Sequence, residues 1–305
     1  MNNRFWPELS YTEGKETYNT IHLWTQIIGK VKLATLPWIN HSWHVTLTVT
    51  PSGLTTGVLP FNGKYFQINI DFLKHQLQIS TNLNEERNYD LRSLSVADCY
   101  NNLFSCLKSF DIDIKIYPIA NELADPIPFP KDIQHRTYIP EIAQALHMAL
   151  LNTNNIFTEF RSEFIGKSSP VHFFWGGFDL AVSRFSGRAA PLHPGGVPNL
   201  PDWVAQEAYS HEVYSCGFWP GGDSLPYAAY YSYIYPEPKG FPTAPVKPQA
   251  AFYHNDLKEF ILPYKDVQKA AAPAEVLLEF LHSTYNAAAG LANWDKASFK
   301  KQYPK

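Results

Sequence analysis

Histidines, carboxylates and arginines gather at a few points of the chain, and those points are where chemistry could occur. The first is Asn40-His41-Ser42-Trp43-His44, at the entrance to an alternating segment on which His44 shares a polar face with Thr46, Thr48 and Thr50. The second is Val171-His172-Phe173-Phe174-Trp175, followed by Asp179. The third is Tyr209-Ser210-His211-Glu212, which runs into Cys216-Gly217-Phe218-Trp219-Pro220-Gly221-Gly222. A neutral imidazole ligates zinc, iron or copper well, and a carboxylate completes such a site or serves as a general base. His44, His172 and His211 are therefore the expected ligands of a divalent transition metal, with Asp179 and Glu212 as ligands or bases. Without a metal, the same five residues could do acid and base work directly. If Ser210 to Glu212 is a strand, His211 points away from Glu212, and one segment cannot deliver both to the same point without a bulge.

Cationic residues suggest the ligand. Arg161, Lys167, Arg184 and Arg188 crowd one passage, and Lys30 stands at the matching place in the first half. Guanidinium forks pair with carboxylate or phosphate, so Lys30, Lys167, Arg184 and Arg188 are expected to hold a small anionic molecule, with Trp175 and Trp219 against its body. The alternative is a non-catalytic binding protein in which an aromatic pocket holds a ligand anchored by Arg184 or Arg188. The tyrosines from Tyr227 to Tyr235 could stack on such a ligand or simply cover a sheet.

Familiar motifs are missing. Gly166-Lys167-Ser168 ends like a phosphate-binding loop, but the first glycine of that motif would have to stand where Arg161 is, and the segment follows a helix rather than a strand. No G-x-S-x-G, H-E-x-x-H or G-x-G-x-x-G occurs.

The elements that must position these residues read as an α+β protein. Ile21, Trp24, Ile28 and Val31 recur at helical spacing, and Gly29-Lys30 reads as the helix end. Trp43, Val45, Leu47 and Val49 alternate as in a strand, as do Phe66, Ile68, Ile70 and Phe72, with Leu77 and Ile79 after a turn. Ser95 and Asp98 form a capping box ahead of a second helix, and residues 112–117 read as a closing strand. The second half repeats this order: a helix from Pro140 to Phe164, a strand at Phe178 to Ser183, a hairpin from Phe252 to Leu262, and a helix opened by Pro273. A shift of 135 positions overlays the two leading strands and pairs Asp179 with His44. The expected architecture is a duplication, with residues 1–120 and 140–305 as two units about a pseudo-twofold axis. Residues 121–139 are a proline-rich linker, 191–203 an inserted loop, and a ligand cleft lies between the units.

Composition narrows the function classes. Of 305 residues, 25 are Lys or Arg and 28 Asp or Glu, for a net charge of −3, so no overall basic surface recruits nucleic acid. Charged residues make up only 17% and aromatics 15%, which excludes a disordered chain. The first ten residues lack a secretory pattern and no apolar run is long enough to span a bilayer, so the reading is cytoplasmic without membrane attachment. Three cysteines without a C-x-x-C fit reduced thiols.

One further reading rests on resemblance. Asn40-His41 with Trp43-His44-Val45, Ser169-Pro170-Val171-His172-Phe173-Phe174-Trp175-Gly176, Arg184-Phe185-Ser186-Gly187-Arg188, His193-Pro194-Gly195-Gly196, Glu207-Ala208-Tyr209-Ser210-His211-Glu212 and Gly217-Phe218-Trp219-Pro220-Gly221 follow one another in an order that resembles a group of bacterial proteins catalogued only as a domain of unknown function. The resemblance spans nearly the whole chain and implies a self-contained protein. It brings no activity, cofactor or residue role.

Overall fold

The computed structural model describes residues 5–301. In the first half, helix α1 (Tyr11–Thr35) is followed by strands β1 (Thr48–Thr50), β2 (Gly53–Thr55), β3 (Leu59–Phe61), β4 (Lys64–Asp71), β5 (Gln76–Thr81) and β6 (Glu86–Asp90), then helix α2 (Val96–Ser109). In the second, α3 (Pro140–Ser162) leads to β7 (His172–Phe174) and β8 (Asp179–Ala189). The short helix α4 (Asp202–Ala208) precedes β9 (His211–Trp219), β10 (Ala229–Tyr235), β11 (Phe252–His254) and β12 (Glu259–Pro263), and α5 (Tyr264–Gln268), α6 (Pro273–Leu291) and α7 (Lys296–Phe299) close the chain.

The strands form two antiparallel sheets. One runs β1-β2-β4-β5-β6 with β3 beside β4, the other β11-β12-β10-β9-β8-β7. They meet where Leu47 and Phe173 exchange both backbone hydrogen bonds at 2.9 Å. The main apolar core runs through both halves, with Trp24, Phe72, Phe129, Phe157, Phe218 and Tyr230 among its fully buried side chains. Burying one such ring stabilises the fold by about 1.5–3 kcal/mol, so this shared core, and not either sheet alone, holds the two halves together. Among the described residues no helix is long and apolar enough to cross a membrane.

Local signals account for most elements. The Ser95–Asp98 capping box is present in full, and Pro140 and Pro273 open their helices. Three expectations need correction. Helix α1 continues through Gly29 to Thr35, because Gly29 is not a terminus: a Cβ there would lie 2.2 Å from the Trp175 indole, so the missing side chain makes room for the ring. Residues 40–45 form a tight 3₁₀ turn instead of strand, with His41 and Ser42 both in the left-handed region (φ 59° and 58°), and pairing begins only at Leu47, just ahead of β1. Residues 112–117 have no ladder partner. Ile112 and Ile114 are buried between exposed Asp113 and Lys115, so the alternation reports an extended backbone lying on the core and not strand pairing.

The proline-rich stretch is packed. Phe129 and Asp132 are buried, and the backbone of α2 joins it where the Val96 and Ala97 N–H groups donate to the His135 and Asp132 carbonyls.

Candidate functional site

Along β8 the residues Asp179, Ala181, Ser183 and Phe185 face a cavity of about 820 Å³, while Leu180, Val182 and Arg184 point toward the helices. The volume falls within the range of small-molecule sites. Trp38, Trp43, Trp175, Phe174, Tyr209 and Tyr231 supply much of the wall. Trp175 is held by its indole N–H, which donates to the Val45 carbonyl at 2.8 Å.

Residues 191–203 and α4 close one side of the cavity. Asn199 donates to the Leu123 carbonyl at 2.7 Å, and the Glu122 N–H donates to the Pro198 carbonyl at 2.8 Å, so this loop is stitched to the proline-rich stretch. On α4, the Glu207 carboxylate accepts the His41 N–H at 2.7 and 3.0 Å. His41 Nδ1 lies 2.8 Å from the Ala208 carbonyl, which can only accept, so Nδ1 carries the proton and Nε2 accepts from Lys167 Nζ at 2.6 Å. These bonds hold the two consecutive left-handed residues, a conformation uncommon outside glycine. Beside them the Ser42 hydroxyl, on the cavity wall, is buried with no hydrogen-bond partner.

At the floor the carboxyl groups of Glu122 and Asp179, from distant segments, come together. Glu122 lies over the Gly176-Gly177 backbone, where a Cβ on Gly176 would sit 2.0 Å from Glu122 Oε1. A Cβ on Gly177 would lie 2.9 Å from Asp179 Oδ1 and 3.8 Å from Glu122 Oε2, so both carboxylates flank the same backbone position. The Tyr231 hydroxyl donates to Asp179. Tyr231 reaches it by lying flat across Gly217, its direct partner on β9, where a Cβ would be 2.3 Å from the ring. Tyr233 stacks beside Tyr231 at 6.1 Å, and its hydroxyl is 2.8 Å from that of Tyr209. The β10–β12 register sets Ser232 opposite Phe260, which brings Glu259 to the level of Tyr233. Glu259 borders an adjoining pocket of about 640 Å³ together with Asp179 and Trp219.

Burial raises all three carboxyl groups, Glu122 to about 7, Asp179 to about 6 and Glu259 to about 8. The charge of Asp179 adds to the rise of both glutamates, while the Tyr231 hydrogen bond restrains that of Asp179. No lysine or arginine forms an ion pair with any of them among the described residues. Lys30 is on the wall as well, held by the Asn121 side chain with its Nζ 5.7 Å from the Trp175 ring, and burial pulls it down to about 8.

Of the residues expected from sequence, the cavity gathers Lys30, Trp175, His172 and Asp179, with Lys167 reaching it through His41. His172 is neutral: it is buried, its Nδ1 donates to the Pro170 carbonyl at 2.7 Å, and it is depressed to about 4. The remaining residues are engaged elsewhere. His44 packs its ring on Trp38 at 4.7 Å and accepts the Ile39 N–H. His211 shares a hydrogen bond with the Ser210 hydroxyl, its ring 6.4 Å from that of His41. Glu212 accepts from Arg188 at 2.6 Å and from the Ser186 hydroxyl at 2.8 Å. Arg188 also caps α6 through the Ala292 carbonyl, and Arg184 is on the opposite face of β8. Among the described residues no three His, Cys, Asp or Glu side chains group so as to hold a metal ion, and His44, His172 and His211 are not brought to one point. The thiols of Cys99 and Cys216 are buried and raised, the latter to about 12, which leaves neither reactive.

Sequence reasoning missed Glu122, Glu259, Ser42 and the Glu207 clamp. The period-two run Tyr231-Tyr233-Tyr235 was a usable signal for one wall, since alternate residues of a strand share a face. Glu122 had none, because it lies in a stretch without periodicity.

No curated protein and no solved structure matches the chain. The model of DUF5996, a family of unknown function, matches residues 6–301, and the chain is a member of that family.

Proposed function

We propose that the chain binds a small organic molecule in the α4-capped cavity and that Asp179 and Glu122, with Tyr231, move a proton on it. The observation that carries this reading is the meeting of Glu122 and Asp179 beside an aromatic wall, with Glu259 on the adjoining pocket and, among the described residues, no cation paired to any of the three. Carboxyl groups poised between about 6 and 8 can both give and take a proton near neutral pH, which is the requirement for general acid–base work. The matching ligand has a flat apolar body and a basic nitrogen, because aromatic faces attract a cation and the carboxylates complete the pairing.

A second reading, non-catalytic holding of a small anionic molecule, is favoured by Lys30, which is buried on the wall without a carboxylate partner. Tryptophan fluorescence titration separates the two. Quenching by an aromatic amine such as tyramine, abolished in Asp179→Asn, supports the first reading. Quenching by the matched carboxylate, abolished in Lys30→Met, supports the second. No saturable response to either overturns both.

The two units, 1–120 and 140–305, belong to the same proposal. Each contains a long helix, six strands and a closing helix, and their leading strands meet antiparallel at Leu47 and Phe173. The strand orders beyond that pair differ, as expected if insertions followed a duplication. A cytoplasmic setting without a nucleic-acid partner completes the reading.

A further inference from the structure

Arg184 is the one sequence-expected anion anchor that the fold buries completely away from the cavity. Its even position on β8 turns it toward α3 and α6, where its guanidinium lies 3.4 Å from the Phe160 ring centre, 4.5 Å from that of Tyr285 and 5.2 Å from that of Phe164. Nη2 donates to the Phe160 carbonyl, Nε has no hydrogen-bond partner, and no carboxylate pairs with the side chain among the described residues. Arginine cannot shed its proton, so this charge persists at any physiological pH. Ring faces offset part of the cost of burying it, but a buried charge without an ion-pair partner still carries a penalty.

A pocket of about 510 Å³ opens onto Arg184 between the end of α3, the middle of α6 and the segment after α7. Lys296 and Lys300 are exposed on its rim, with His282 beside them. The acid on its described wall is Glu163, which faces His282 at 3.6 Å. Glu163 offsets part of the Arg184 charge from a distance, but stability alone would not add lysines around a buried cation that has no ion-pair partner, because each raises the local positive potential. We infer that this pocket is a second binding site, separate from the aromatic cavity, for the oxyanion group of a small molecule, a phosphate or a carboxylate, with Arg184 as its buried counter-charge and Lys296 and Lys300 as its rim.

The test titrates the full chain with inorganic phosphate, and in a second arm with malonate, at constant ionic strength set by chloride, reading melting temperature and heat of binding. A saturable rise with one of the two identifies the oxyanion. The Lys296→Glu/Lys300→Glu double variant changes only exposed side chains and is expected to weaken that binding at least tenfold, whereas Lys108→Glu on α2 leaves it intact. Arg184→Lys keeps the charge but loses the planar fork and is expected to fall between them. No rise above chloride with either anion, or wild-type affinity in the double variant, overturns the inference whether or not an Arg184 variant folds.

Discussion

On one face of β8, Asp179 meets Glu122 in a cavity and shares the adjoining pocket with Glu259. On the other, Arg184 lies between the rings of α3 and α6. Both regions remove charge from bulk water without pairing it to the opposite sign, but they meet the cost by different routes. A carboxyl group can take up a proton, and all three do so more readily here than in water. A guanidinium cannot, so Arg184 is left with ring faces, one carbonyl and whatever anion the adjoining pocket admits. The comparison teaches that the acidic side is self-adjusting and the basic side is not, so the two should respond very differently to substitution and to pH.

The largest expected effect comes from reversing the charge that cannot adjust. Arg184→Glu places a carboxylate among Phe160, Phe164 and Tyr285 and removes the donor to the Phe160 carbonyl, which should cost roughly 3–5 kcal/mol of folding free energy. Urea unfolding measures it, and a loss below about 1 kcal/mol would break the contrast.

The adjustable side is tested by pH. For an acid whose folded pKa is raised, the folded state binds more protons than the unfolded one between the two pKa values, so its contribution falls as pH rises through that window. With ordinary values near 3.8 to 4.5 and folded values of about 6, 7 and 8, the window runs from about pH 4 to pH 8. His22 and His172, both depressed to about 4, work in the opposite direction up to pH 6.5, so the wild-type profile alone mixes the two. The decisive quantity is the difference from Glu122→Gln/Asp179→Asn/Glu259→Gln. The triple variant should melt close to wild type near pH 4 and several degrees higher at pH 8. A difference that stays flat with pH would show that the three carboxyl groups are solvated in the folded chain.

Much of this contrast was legible along β8 itself, since period two separates Asp179 and Phe185 from Arg184. Arg161, Lys167, Arg184 and Arg188 nevertheless read as one cationic cluster, because closeness in sequence says nothing about which face of a sheet a side chain takes until strand boundaries are known. The capping box at Ser95, the hairpins and the proline-led helices were readable because each is set by neighbours a few residues away. Glu122 and the His41-Ser42 turn were not. Glu122 is positioned by Pro198 and Gly176, and His41 by Glu207 and Lys167, all reached only after the chain has folded. The metal reading failed to gather its histidines for a related reason: His44 was assigned to a regular strand, and the left-handed turn before it sends its ring onto Trp38.

The smallest effect concerns the hydrogen bond that tempers Asp179. Tyr231 reaches the carboxylate only because Gly217 leaves its strand face bare, so Gly217→Ala should push the ring aside without emptying the core. Overpacking of this kind costs typically 1–3 kcal/mol, and at a cavity wall, where the ring has space to move, the lower end applies. The more telling readout is the carboxyl itself. Tyr231 donates to the charged form and holds Asp179 down against the burial that raises it, so losing the bond should move Asp179 above its present level of about 6 and toward the two glutamates. A ¹³C titration of the Asp179 carboxyl follows this directly. Tyr231→Phe, which keeps the ring and removes the hydroxyl, should reproduce the rise without the packing cost. An unchanged titration in both variants would mean that burial alone sets Asp179, and the tyrosine would then lose its part in proton transfer.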